Sequence, residues 1–280
     1  VNGVSRFLGA ETWKRPVLRY RAGEYWEEDD VIATEFAVTL YVNGEEFATL
    51  VCTPTYVEDL VYGFLASEGV IRTVDDVKSV QVSLWTGTAR VETKSGVVLP
   101  PAMYNKRYIG SCCGKGRQSF YFQSDALTAR PVADPVRLSA DDVLRAMDLL
   151  DASSGLFEET GGVHVAALVR AGQLVLARAD IGRHNALDKI YGHCLKSGES
   201  LSGTAVAFSG RISSEVLLKV AKIGVGVVIA RGAPTALALD LAEELNITAI
   251  GFVRGQAFNV YSHPWRMKDV KREQGVAGGT

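Results

Sequence analysis

The chain has 280 residues, of which 47% are hydrophobic and 22% charged, with a formal net charge of −2. That length suits one large domain or two ordinary ones with buried cores, and the near-neutral charge excludes a global drive toward nucleic acid. Four cysteines, two of them adjacent, do not make a secreted disulfide framework. Val1–Ala10 lacks the charged-then-apolar pattern of a signal peptide, and no apolar run reaches the ~18–20 residues of a membrane span, so the expectation is a cytoplasmic protein.

The first half reads mainly as antiparallel strands around one helix. Residues 35–42 are rich in β-formers, and Asn43-Gly44 signals a type I′ hairpin into a strand over 47–52. Thr55 and Glu58 form a capping-box pattern. Val57, Leu60, Val61, Phe64 and Leu65 follow at helical spacing, and Gly69 stands where the helix should stop. Val80, Val82 and Leu84 alternate, Thr86-Gly87 turns the chain, and residues 89–93 return.

After Pro100-Pro101 comes a segment of low periodicity that ends in a short aromatic strand pattern, 118–123. Within it, Cys112 and Cys113 stand in a loop of glycine, serine and cations, Gly110-Ser111-Cys112-Cys113-Gly114-Lys115-Gly116-Arg117. Nothing there packs a thiol, whereas Lys115 and Arg117 favour the thiolate, which is the nucleophile and sulfur acceptor. The spacing is neither the C-x-x-C of a redox motif nor that of a zinc site. Cys52 and Cys194 read as buried structural residues.

The Pro131–Pro135 stretch marks a boundary, giving residues 1–134 as a strand-rich α+β domain and 135–280 as an α/β domain. Ser139 caps a helix with Val143, Leu144, Met147 and Leu150 on its apolar face. Strands over 163–169 and 174–179 turn at Ala171-Gly172. Helices over 185–195, 213–223 and 235–245 then alternate with apolar strands over 205–208, 225–230 and 247–253. This rhythm predicts a mostly parallel sheet covered on both faces.

An arginine and a glycine recur where these strands give way: Gly182-Arg183-His184, Ser209-Gly210-Arg211, Arg231-Gly232 and Arg254-Gly255. Ligands of open α/β sheets bind at strand carboxyl ends, where glycine admits close backbone approach and arginine grips phosphate with a bidentate fork. Four such ends point to a ligand with several negative charges. No P-loop lysine signature occurs, which argues against a nucleoside triphosphatase. Asn185, Asp188 and Lys189 share one helical face. His164 and His193 read as structural and His263 as a packed or capping histidine. No paired His/Cys spacing suits a metal.

The stretch Ala179-Asp180-Ile181-Gly182-Arg183-His184-Asn185-Ala186-Leu187-Asp188-Lys189 resembles the most distinctive motif of the FdhD family, the formate dehydrogenase accessory sulfurtransferases. Ser209-Gly210-Arg211 with Ser214-Glu215, Gly251-Phe252-Val253-Arg254-Gly255 and Val260-Tyr261-Ser262-His263-Pro264 are similar to further family segments. So is the stretch from Thr53-Pro54 to Glu68-Gly69.

The resemblance implies a carboxyl-terminal three-layer α/β/α domain of the cytidine-deaminase-like fold. It implies a dimer that carries persulfide sulfur from a cysteine desulfurase to the bis-guanine-dinucleotide molybdenum cofactor of formate dehydrogenase, with a GDP-like nucleotide suited to the same site. Cys113, with Cys112 beside it, would be the sulfur acceptor. Arg183, His184, Asn185, Ser209, Arg211, Arg231 and the loop Phe252, Val253, Arg254, Gly255, Gln256 and Ala257 would hold the cofactor, with Asp188 facing a guanine edge.

The loop departs from the family's Ser-x-Cys-Gly-x-Cys-Gly. Laid without gaps, Cys113 takes the first cysteine's place and Gly116 the second's; a gapped alternative keeps Cys112 and Cys113 by deleting two residues. The spaced thiol pair is lost either way, so a carrier of cofactor that transfers no sulfur is the alternative function. A zinc-dependent nucleobase deaminase needs H-x-E and P-C-x-x-C, and neither occurs.

Overall fold

A computed structural model describes residues 9–94, 129–270 and the backbone of 108–109. The chain opens with a ribbon, β1 (Thr12–Arg21) paired antiparallel with β2 (Glu24–Ala33) through Ala22 and Gly23 at φ 53° and 97°. Every residue from 13 to 29 is exposed except half-buried Val17.

The expected hairpin follows as β3 (Phe36–Val42) and β4 (Glu45–Cys52), with Asn43 and Gly44 at φ 53° and 87°. Both turn residues carry the positive φ that a type I′ turn requires. Helix α1 (Val57–Ser67) begins without the expected capping box: left-handed Tyr56 is its N-cap, so Glu58 falls at the second helical position and not the third. Beyond it, Gly69 at φ 74° donates to Ala66, and Val70 donates to Leu65.

Strands β5 (Val77–Ser83), β6 (Thr88–Thr93) and β7 (Tyr108–Ile109) complete a sheet of order β5-β6-β3-β4-β7. The antiparallel expectation needs correction here, because β6 joins β3, and β7 joins β4, in parallel. Phe36, Val38, Leu40 and Val42 alternate onto the face packed against Leu60, Val61, Phe64 and Leu65 of α1.

The second sheet belongs to residues beyond Pro135. Helix α2 (Ala140–Ala152) starts at Ser139, whose Oγ accepts the Asp142 N–H at 3.1 Å while the Asp142 carboxylate accepts the Ser139 N–H at 2.8 Å. A short helix α3 (Gly155–Thr160) leads to β8 (His164–Arg170) and β9 (Gln173–Asp180). Then come α4 (Arg183–Ser197), β10 (Thr204–Phe208), α5 (Ser214–Ile223), β11 (Val227–Ala230), α6 (Ala236–Glu244), β12 (Thr248–Arg254) and β13 (Ala257–Val260).

The strand order is β13-β12-β11-β10-β8-β9. Only the neighbours β10–β11 and β11–β12 pair in parallel; antiparallel hairpins flank them, so the sheet is mixed where mostly parallel pairing was expected. Its alternation is regular. Ala166, Leu168, Val206, Phe208, Val228 and Ala230 face α4, α5 and α6, while Val165, Ala167, Ala205, Ala207, Val227 and Ile229 face α2. Three layers result.

The two sheets are joined where α1 crosses α4. A Cβ on Gly63 would lie 1.8 Å from the Asp188 carbonyl oxygen, and one on Gly192 would lie 1.8 Å from that of Asp59. Only glycine permits this approach of two helix backbones.

Candidate functional site

Strand direction assembles the rim. β8 is antiparallel to both β9 and β10, so β9 runs the same way as β10, β11 and β12. All four carboxyl ends therefore lie on one edge, bringing Arg183, Ser209, Arg211, Arg231 and Arg254 to it. The accompanying glycines pack the strand-end loops together. A Cβ on Gly232 would stand 2.9 Å from the Arg211 Cα, and one on Gly251 would stand 3.0 Å from the Gly232 carbonyl oxygen.

A cleft of about 290 Å³ opens beside this rim. Leu150, Phe157, Val163 and Ile181 give it apolar walls, and Asp151, His164, Ser209 and Arg231 supply polar groups. Ser209 Oγ accepts the Val165 N–H at 2.9 Å and lies 3.4 Å from His164 Nδ1. Burial lowers the His164 pKa below its ordinary value, and the neighbouring Arg183 and His184 side chains lower it further against the opposing Asp180. Arg231 is ion-paired across the cleft mouth with Asp151, its Nε 3.3 Å from Oδ1. Both of those side chains are exposed. His184 pairs with Glu215 at 2.9 Å, and burial lowers its pKa despite that carboxylate.

Arg211 and Arg254 are exposed, as are Phe252 near the end of β12, Gly255 and Gln256 on the turn that follows, and Ala257 at the start of β13. Val253 differs: it is buried in the core under α2, so it has only backbone to offer a ligand.

The remaining residues of the α4 motif lie elsewhere. Asp180 and Lys189 are fully buried at 2.7 Å from each other. Asp180 also accepts from the Thr53 N–H, the Gly182 N–H and Asn185, and Lys189 donates to Thr53 Oγ1 at 2.7 Å. Asn185 donates as well to the Val51 carbonyl at 2.8 Å. Asp188 is 2% exposed and accepts from Lys219 at 2.6 and 2.8 Å and from Ser67 at 2.7 Å. Asn185 and Asp188 face α1, β4 and α5 and do not line that cleft; with His184, Glu215 and Lys219 they line a second, smaller pocket.

The two described cysteines are poor nucleophiles. Burial, then the Asp180 charge, pushes the Cys52 thiol far above its ordinary range, and burial raises Cys194 to about 11. The loop holding Cys112 and Cys113 lies outside the described residues, as does the expected strand over 118–123. Immediately before that loop, β7 runs beside Thr49 and Leu50 in the direction that takes β4 to Thr53 and the α4 amino terminus.

The FdhD/NarQ family model matches residues 33–268. The chain belongs to the FdhD/NarQ family. It is 53% identical over 254 residues to a protein of Geobacillus kaustophilus (strain HTA426) named sulfur carrier protein FdhD, covering 91% of this chain and 96% of that one. A like-named protein of Bacillus subtilis (strain 168) is 53% identical over 255 residues, 91% of this chain and 97% of its own. The crystal structure of a candidate formate dehydrogenase accessory protein from Desulfotalea psychrophila superposes with a TM-score of 0.77 at 25% identity, over 92% of this chain and 99% of that one.

In this FdhD/NarQ family member the cleft residues His164 and Asp151 escaped the sequence reading, which took the histidine as structural. The Gly161-Gly162 pair just before His164 was the available signal, since it breaks the chain at the rim. His263 does cap, its Nε2 lying 3.1 Å from the Ala242 carbonyl at the end of α6. Among the described residues no group of three or more His, Cys, Asp or Glu is arranged to hold a metal ion, and no helix is long and apolar enough to cross a membrane.

Proposed function

We propose that this chain is a sulfur carrier for formate dehydrogenase that hands persulfide sulfur from a cysteine desulfurase to the bis-guanine-dinucleotide molybdenum cofactor, in the cytoplasm and as a homodimer. The observation that carries the reading is the likeness, over 91% of this chain, to proteins named sulfur carrier protein FdhD.

The rim suits the cofactor as cargo. Arg183, Arg211, Arg231 and Arg254 offer forks to its phosphates, Ser209 and His184 offer polar contacts, and the cleft opens beside them. Asp180, Asn185, Asp188 and Lys189 act one step back, holding the α4 amino terminus in place.

Cys113 is the sulfur acceptor. Its thiolate, favoured by Lys115 and Arg117, attacks the outer sulfur of the desulfurase persulfide; the S–S bond breaks and the desulfurase cysteine leaves as thiolate. Cys52 and Cys194 are too buried to compete. Incubating the protein with a desulfurase and cysteine, then mapping persulfide by mass spectrometry, tests the proposal. Sulfur absent from both Cys112 and Cys113 would overturn it.

The glycine at position 116, where the family's second cysteine stands, favours one other reading: a carrier that binds cofactor and transfers no sulfur. Cys113→Ala separates the two in cells, because a pure carrier still restores formate dehydrogenase activity.

A further inference from the structure

The ribbon β1–β2 carries large apolar side chains that the fold leaves uncovered. On one of its faces stand Leu18, Tyr20 and Tyr25, which are 65%, 62% and 68% exposed. Tyr20 lies opposite Tyr25 with the ring centroids 4.9 Å apart, and Leu18 is two residues along the same strand, so the three adjoin. The base of the ribbon is anchored, because the Thr34 N–H donates to the Glu11 carbonyl at 2.8 Å and Gly162 lies close against Ala33. From Leu18 to Asp29 every residue is exposed. A two-stranded hairpin is marginally stable in water on its own, and a contiguous apolar patch in solvent marks a contact site.

The charges say what covers it. β1 carries Lys14, Arg15, Arg19 and Arg21 and no acid, while β2 carries Glu24, Glu27, Glu28, Asp29 and Asp30 and no base. On the face away from the tyrosines these answer one another within the ribbon. Arg15 stands across from Asp30 and Arg21 from Glu24, and Arg19 pairs with Glu28 and, at 2.7 Å, with Asp30. On the tyrosine face they do not: Glu27 stands across from Leu18, Asp29 from Pro16 and Lys14 from Val31. Directly opposed pairs are the unit of ribbon stability, so charge on this face is left for a group outside the ribbon.

A second copy supplies that group. Isologous contacts need a patch that complements itself. A twofold axis running along the ribbon lays β1 of each copy over β2 of the other, so the basic strand meets the acidic one. Tyr20 then meets the partner's Tyr25, and Lys14 comes beside the partner's Asp29. An axis across the ribbon would lay like charge on like. A transient partner would leave the patch bare for most of the time, whereas another copy of the chain is always at hand.

We propose that the Leu18, Tyr20 and Tyr25 face of the ribbon is an interface with a second copy of this chain, joined β1 over β2 about a twofold along the ribbon. This rests on the homodimer reading given above and adds the surface that makes it.

Sedimentation velocity of the full chain tests it. Leu18→Ser combined with Tyr20→Ser and Tyr25→Ser should raise the dimer dissociation constant about a hundredfold or more. The thermal melt of the two-sheet body should hold, because none of the three is buried. Lys14→Glu alone and Asp29→Lys alone should each weaken association about tenfold. An equimolar mixture of those two variants should recover it, since each then meets its complement, and this result does not depend on how the triple variant folds. The proposal is overturned if the triple variant dimerises as tightly as the natural chain, or if the mixture associates no better than either charge variant. A natural chain that sediments as a monomer throughout overturns the homodimer reading as well, a result distinct from a dimer that ignores the ribbon.

Discussion

The seam between α1 and α4 and the rim at the strand ends draw on neighbouring residues of one motif, yet they use charge in opposite ways. Asp180, Lys189 and Asp188 are buried, and each meets an opposite charge within hydrogen-bonding distance. Arg211, Arg231 and Arg254 remain in solvent contact. A buried charge must be paired or it destabilises the fold by several kcal/mol, so it is committed to structure. An arginine left in water keeps its donors available to a ligand. The difference teaches that burial, more than residue type, separates the frame from the site.

The comparison is broken most severely by Lys189→Met, which leaves the Asp180 carboxylate buried without its cation. Urea denaturation should show a loss of about 3–5 kcal/mol; a loss below about 1 kcal/mol would remove the seam's claim to be a clamp. Gly63→Ala should cost about 3 kcal/mol, because its methyl would enter the backbone of α4. At an exposed helix site the same change would stabilise, so differential scanning calorimetry gives the sign directly.

On the rim the outcome reverses. Arg231→Ala should leave stability within about 0.5 kcal/mol and weaken pyrophosphate binding about tenfold in titration. Asp151→Asn should act the other way and more gently, releasing Arg231 from its ion pair and raising pyrophosphate affinity a few-fold, in line with an exposed pair.

The smallest effect is on pH. The folded pKa values of His164 and His184 are lowered, so the unfolded chain binds more protons below about pH 6.5. Stability should hold above that point and fall as pH drops through the folded values. Thermal melts from pH 7.5 to 5.5 check it, and His164→Asn should flatten the dependence.

Much of the fold was legible because particular residues leave few choices. Asn43-Gly44 and Ala171-Gly172 both take positive φ at their two turn positions, and Ser139 caps α2 as expected, closing a capping box with Asp142 as well. The ribbon β1–β2 was not legible. Its strands place charges on both faces and bury nothing fully, so no alternation marks them. Strand β13 spans only Ala257–Val260, too short for a periodic signal.

The site divided the same way. Glycine–arginine pairs after apolar strands identified the rim. The shared face of Asn185, Asp188 and Lys189 was also correct as a helical face. What it meets was not readable, because a helix repeats its pattern whether solvent or another helix lies opposite.

The sequence by itself determined the local choices: turns, caps, apolar strands, and the arginine and glycine at each strand's end. These depend on φ preference and on periodicity, which a few adjacent residues set. Only the tertiary structure decided that β8 reverses between β9 and β10, which puts four strand ends on one rim. It also decided that half of the α4 motif is sealed against α1, because burial is a property of what packs opposite and no residue encodes that alone.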